Sequence, residues 1–144
     1  MSFEVEPDGV HCTDLSNFKK NNDWEKVRDT IKEKGITRLR ITNKKNLTEI
    51  PHGFLMMCST LQSLDLSQLV NVTSIGNQFL MNCSSLISLD LAPLANVTKI
   101  GSVLLKDCTG LTRVTAPASW KEISNHGTPG LTLQNNVQSI ITYV

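Results

Sequence analysis

The stretch NLTEIPHGFLMMCSTLQSLDLSQLV, Asn46 to Val70, runs without a gap into NVTSIGNQFLMNCSSLISLDLAPLA, Asn71 to Ala95, and then into NVTKIGSVLLKDCTGLTRVTAPASW, Asn96 to Trp120. These are three copies of one 25-residue unit. Each opens with Asn, then Leu or Val, then Thr. Ile stands at the fifth place, Leu at the tenth, Cys at the thirteenth and Leu at the sixteenth. Agreement at a fixed period has a physical meaning: one unit cannot bury its own apolar face and must stack on its neighbours. Shifted by 25 residues, Ile36-Thr-Arg-Leu39-Arg-Ile41 falls on Leu61 to Leu66, with Leu86 to Leu91 and Leu111 to Ala116 as further counterparts. Each has the L-x-x-L-x-L spacing, whose last apolar residues alternate with polar ones as in a half-buried strand. One strand per unit predicts a parallel stack with strands about 4.8 Å apart. In the rest of the unit Ile50, Phe54 and Cys58 recur at i, i+4 and i+8, Leu55 joins the same face and Pro51 suits a first helical turn. That spacing predicts one or two short helical turns on the outer side.

Outside the repeats the periodicity fades. Residues 1–21 carry no repeat, and GVHCTDL, from Gly9, reads as a short extended piece. Asn22 or Asp23 can cap a helix over 23–34 that puts Trp24, Val27 and Ile31 on one face, with Gly35 at its C′ position. This helix is expected to lie across the open end of the array, whose first strand would be 36–41. After Trp120 the period is lost. Trp120-Lys-Glu-Ile123 matches Val97 to Ile100 two residues early, Asn125 to Gly130 reads as a turn, and Val137 to Ile140 resembles the start of another strand. The expected organisation is an N-terminal cap over 1–35, a repeat array over 36–120 and a degenerate C-terminal coil over 121–144.

The wording NVTSIG, then Phe-Leu, CSSL and SLDL resembles the BspA-like (Treponema-type) leucine-rich repeats, and FL-x-x-CSSL-x-SLDL resembles their kinetoplastid protist versions. The resemblance covers about residues 36–123. With the periodicity it implies an α/β fold: a leucine-rich repeat solenoid with a parallel sheet on one face, short helical turns on the other and an N-terminal capping helix. It also implies adhesion or recognition without catalysis. Surface members of such a family need an export signal, and the start MSFEVEPDGV lacks the basic region and apolar run of one.

The 144 residues suffice for one domain with one core. Apolar content of 40% with 19% charged residues describes a globular chain rather than a disordered one. A net charge of +1 gives no electrostatic case for nucleic acid or an anionic membrane. No run approaches the roughly 20 apolar residues of a membrane span. The expectation is a soluble chain, cytoplasmic as given, without nucleic-acid or membrane partners.

Chemistry is sparse. Cys58, Cys83 and Cys108 share one repeat position. Three equivalent thiols cannot all pair, and a row of parallel side chains does not converge on a tetrahedral metal. A buried ladder of reduced thiols is expected instead, with Cys12 a plain thiol outside it. The Asn-x-Ser/Thr sequences at Asn46, Asn71, Asn82 and Asn96 could accept glycans. Three of these Asn form a repeat column, however, and a turn Asn bonding the next unit's backbone accounts for it. His11, His52 and His126 share no spacing with a nucleophile. Neither a phosphate loop nor a nucleophile elbow appears, so no catalytic residue, metal or cofactor is expected.

The outward strand positions carry the candidate partner-binding residues. One column reads Arg40, Asp65, Asp90, Thr115; beside it run Arg38, Ser63, Ser88, Arg113 and Thr37, Gln62, Ile87, Thr112. Asp65 beside Asp90 is a like-charge pair that costs stability unless a cation is near. Arg40 could answer Asp65 and Arg113 could approach Asp90 diagonally. A solvated face with ion pairs worth about 0–1 kcal/mol each is the plain alternative. The functional expectation is recognition of an unidentified protein partner through Arg38, Arg40, Gln62, Ser63, Asp65, Ile87, Ser88, Asp90 and Arg113. The other expectation is a structural role, with a homodimer formed through the β-prone C-terminal edge Ser139 to Val144.

Overall fold

Alternation of apolar and polar residues turns every second strand side chain inward, and the repeat period sets those side chains one above another. The structure is a computed structural model that describes residues 3–18, 23–122, 124–125, 128–129 and 140–144. In chain order it contains β1 (Glu4–Val5), β2 (His11–Asp14), a 3-10 turn over Leu15–Phe18, α1 (Asp23–Glu33), β3 (Arg38–Thr42), β4 (Glu49–Ile50) and β5 (Ser63–Asp65). There follow β6 (Ser74–Ile75), β7 (Ser88–Asp90), β8 (Lys99–Ile100), β9 (Arg113–Ala116), β10 (Ser124–Asn125), β11 (Thr128–Pro129) and β12 (Ile141–Tyr143). Further 3-10 turns occupy Ala92–Leu94 and Ala118–Glu122.

The expected parallel pairing in the 25-residue register is present: Leu39 lies opposite Leu64, and Leu89 opposite Val114. Four features differ from the sequence expectation. First, 36–41 is not the leading strand. β2 pairs with β3 in parallel, His11 opposite Leu39, and β1 adds an antiparallel edge. The helix α1 therefore stands between the first two parallel strands, as the return of a longer unit, rather than ahead of the first strand. Second, the strand ladder is not continuous. It divides into β1-β2-β3-β5 and β7-β9-β12, with a break between β5 and β7. There the Ile87 N–H reaches the Gln62 carbonyl at 3.3 Å. Third, β4, β6 and β8 form a second parallel ladder, Ile50 beside Ile75 beside Ile100.

Fourth, the outer segments are not helical. Residues 52–57 and 77–82 are turns, and 102–107 are bends and turns. Places eight, ten and twelve of every unit have positive φ: Gly53, Leu55 and Met57; then Gln78, Leu80 and Asn82; then Val103, Leu105 and Asp107. Main-chain bonds between units replace those a helix would make within one. Gly53 N–H donates to Asn77 O at 2.8 Å, Leu80 N–H to Phe54 O at 3.1 Å and Met57 N–H to Met81 O at 2.7 Å. The next pair of units repeats them through Gln78, Leu105 and Asn82. At Gly76 the units approach so closely that a Cβ would stand 2.6 Å from the His52 backbone nitrogen. The i, i+4, i+8 spacing of Ile50, Phe54 and Cys58 reports burial, which all three show, and not helix.

One core runs through the stack. Leu61, Leu86, Leu91 and Leu94 are fully buried, and Phe18, Phe54 and Phe79 form an aromatic row with centroids 4.5 and 5.7 Å apart. α1 contributes Val27 and Ile31; the Trp24 side chain lies outside the described residues. Trp120 is fully buried and donates its indole N–H to Leu94 O at 3.1 Å, which satisfies its one polar atom. β12 pairs with β9 in parallel, Ile141 opposite Val114. The expected strand start at 137–139 lies outside the described residues. So does most of the 125–130 turn, of which the β10–β11 pairing is described.

Two predictions follow from this packing. Leu89 is 3% exposed at the centre of the stack, so Leu89→Ala should cost about 2–5 kcal/mol in urea unfolding. A loss below about 1 kcal/mol would mean that this unit is not packed into the core. Val103 is β-branched at φ 66°, where unit one has Gly53 at φ 72°. A non-glycine residue in this region is strained by about 1–2 kcal/mol, so Val103→Gly should raise the melting temperature. Leu105→Gly, which removes a fully buried side chain at φ 58°, should lower it. Equal effects of the two changes would disprove the strain assignment.

Candidate functional site

The strand face gathers the sequence-selected residues. β3, β5, β7 and β9 hold Leu39, Leu64, Leu89 and Val114 inward, which forces their neighbours outward. Arg38, Gln62, Ser63, Ile87, Ser88, Asp90 and Arg113 are exposed, and Arg40 and Asp65 are half-buried. Of the chain's four arginines, Arg38, Arg40 and Arg113 lie in these strands. None of its ten lysines does. Arg and aromatic residues are enriched in interface cores while Lys and Glu are depleted.

The two ends of the face differ in their electrostatics. At the N-terminal end Arg40 Nε donates to Asp65 Oδ2 at 2.8 Å, and Arg40 Nη2 reaches Asp8 Oδ2 at 3.5 Å. Arg38 Nη2 donates to the Asp8 carbonyl at 2.6 Å. The expected Arg40–Asp65 pair is thus present, and the turn between β1 and β2 joins it. Asp8 carries no sequence signal for this role, since it lies 32 residues from Arg40. The expected approach of Arg113 to Asp90 is absent: neither forms an ion pair among the described residues.

The aspartates also have a local task. Asp65 Oδ1 accepts from Ser67 N–H and Asp90 Oδ1 from Ala92 N–H, each at 2.9 Å. Asp14, in the same Asp-Leu-Ser setting, accepts from Ser16 N–H and Oγ, from Thr42 Oγ1 at 2.7 Å and from Lys44 N–H at 2.9 Å. These carboxylates turn the chain out of each strand. Partial burial works against the charged form of Asp65, but the Ser67 and Arg40 hydrogen bonds outweigh it and hold its carboxyl below the usual range. The like-charge cost expected for Asp65 beside Asp90 is therefore offset where it arises.

The other candidate chemistries resolve into structure. Cys12, Cys58, Cys83 and Cys108 are buried free thiols. Cys83 donates its S–H to Leu55 O at 3.1 Å and Cys108 to Leu80 O at 3.0 Å, so each thiol satisfies a carbonyl of a left-handed residue one unit back. Burial pushes Cys58 up to about 12 and Cys108 up to about 11, and Cys83 in the same direction, which keeps the thiols unreactive. The Asn column bonds between units, Asn71 Nδ2 to Asn46 Oδ1 and Asn96 Nδ2 to Val70 O at 2.7 Å. His52 Nδ1 accepts from Asn77 N–H at 2.8 Å, His11 lies in β2, and His126 lies outside the described residues. A shallow groove of about 260 Å³ between the Leu15–Phe18 turn and Leu47–Pro51 is lined by Leu15, Phe18, Leu47, Thr48, Glu49 and Pro51. Among the described residues no three metal-ligating side chains gather, and no helix is long and apolar enough to cross a membrane.

Asp14 gives a pH prediction. Burial raises its carboxyl, but the hydrogen bonds to its charged form prevail and hold it at about 2. A carboxyl lowered on folding stabilises the fold above its unfolded value and loses that contribution as pH falls through the folded value. Asp14→Asn should therefore cost about 1–2 kcal/mol at pH 7, with the difference from wild type shrinking between pH 4 and 2. A constant difference across that window would remove the carboxylate from this role.

No curated protein and no solved structure matches the chain. A family model does: the BspA type leucine rich repeat region matches in 6 copies over residues 10–127. Its reach to residue 10 agrees with β2 being the first of the parallel strands. Repeats of this kind generally mediate protein–protein interaction rather than catalysis. With most of its length matched and its strands stacked in the repeat register, the chain belongs to the BspA type leucine-rich repeat family.

Proposed function

We propose that this chain is a non-catalytic protein-recognition module that binds through the strand face of a short solenoid. The repeat wording supports a place among the protist versions of the family. The observation that carries the functional reading is the distribution of cations: three of the four arginines on the strand face, all ten lysines outside its strands. Arg presents a fixed planar fork suited to interfaces, while Lys holds its hydration and is costly to cover. Small side chains at Ser63, Ser88 and Thr112 let another surface approach the backbone closely.

A second reading, self-assembly through the C-terminal end, rests on β12. Among the described residues it is the last strand of its ladder, it carries no charged side chain, and Val144 beyond it is 63% exposed. Such an edge templates pairing.

The test is a comparison of immobilised wild type with Ser88→Arg, on the strand face, and Lys99→Glu, on the outer ladder. A bulky charge at the centre of an interface should cut retention of specific binding proteins from a source-cell lysate by about tenfold or more. Lys99→Glu should retain them. If Ser88→Arg retains the same proteins as wild type, the strand face is not the recognition surface.

A further inference from the structure

The charges on the strand face are distributed unevenly. Arg38 and Arg40 are engaged by Asp8 and Asp65. Beyond the break between β5 and β7, Asp90 and Arg113 have no ion-pair partner among the described residues, and both are exposed. They sit on adjacent strands, Asp90 opposite Thr115 and Arg113 opposite Ser88. Ile87, next to Ser88, is a large apolar side chain that is 53% exposed. Beside it stand Ser88 and Thr112, both short, with Thr115 opposite Asp90 further along the strand. The patch thus consists of one apolar anchor, one acid and one base, the two charges without an ion-pair partner among the described residues, on a low, hydroxyl-lined surface.

Such a patch is self-complementary. A two-fold axis lying in the interface and passing between Asp90 and Arg113 exchanges the two charges, so each opposite-charge contact is made twice. It also brings each copy of Ile87, half exposed in its own chain, into the interface. A foreign partner would have to supply the same acid-plus-base arrangement; a second copy has it already.

We propose that the half of the strand face from β7 to β12 pairs with the same half of a second copy of this chain, Asp90 of one copy meeting Arg113 of the other around Ile87. This rests on the strand face being the recognition surface and names its partner. It is distinct from pairing through the β12 edge, which would use backbone groups and not these side chains.

Charge exchange tests it. Wild type, Asp90→Arg, Arg113→Asp, an equimolar mixture of the two variants, and Ile141→Lys are compared by sedimentation velocity, with circular dichroism melts to confirm folding. Wild type and Ile141→Lys should dimerise. Each single charge variant should dissociate about tenfold more readily, because both contacts become like-charged. The mixture should recover dimer, since one variant offers two arginines where the other offers two aspartates. A wild type that stays monomeric up to about 1 mM, a dissociation constant too weak to matter, overturns the pairing. So does a mixture no stronger than its components, or a dimer lost only in Ile141→Lys. If wild type is monomeric while Ser88→Arg still loses its retained proteins, self-pairing alone falls and the recognition reading stands.

Discussion

Each unit satisfies its main-chain N–H and C=O groups through the unit beside it. This exchange governs the rest of the structure. A buried amide left without a partner costs about 1–3 kcal/mol, and a turn that cannot bond to itself must find the same turn one unit away. Backbone conformation must then repeat as strictly as the apolar positions do. This explains why leucine, which has no preference for positive φ, adopts it at Leu55, Leu80 and Leu105 alike. Their carbonyls or neighbours' carbonyls are then met from the next unit, by Cys83 and Cys108 thiols and by Leu80 and Leu105 amides. The cysteine column is thus a column of donors as well as of small apolar side chains. Threonine or alanine there would fit the volume but not both tasks.

What the sequence could reveal follows from this. Inward positions were legible because burial selects residue type directly: Leu39, Leu64, Leu89 and Val114 repeat in sequence and stack in space. The outer turns were not legible, because a segment that buries every fourth side chain can be a helix or a chain of left-handed turns, and only bonds to adjacent units decide. The extended piece in GVHCTDL was legible, but its place as the first parallel strand was hidden for another reason. His11 pairs at a spacing of 28 rather than 25, the extra length taken up by α1, so a fixed-period comparison passes over it. Of the face, Arg40–Asp65 could be read as a cross-strand pair one period apart. Asp8 could not, since a turn folding back over the face leaves no periodic trace.

On the proposed reading, the face combines structural and recognition demands in the same residues. Asp65 and Asp90 end their strands through bonds to Ser67 and Ala92, which fixes the carboxylates in position before any partner arrives. A charge already held by its own backbone loses little side-chain freedom on binding. Arg40 is held in the same way between Asp8 and Asp65.

The break in the ladder between β5 and β7 bears on mechanics. At that junction the outer ladder continues from β4 to β6, and the turn bonds of Gly53, Leu80 and Met57 persist. The strand side has lost its ladder there. The two halves are therefore joined like panels with a spine along the outer edge and an open seam along the face. Curvature of the face is cheapest to change at that seam, where bending stretches few hydrogen bonds. The seam leaves Arg40 and Asp65 on one panel and Ile87, Asp90 and Arg113 on the other.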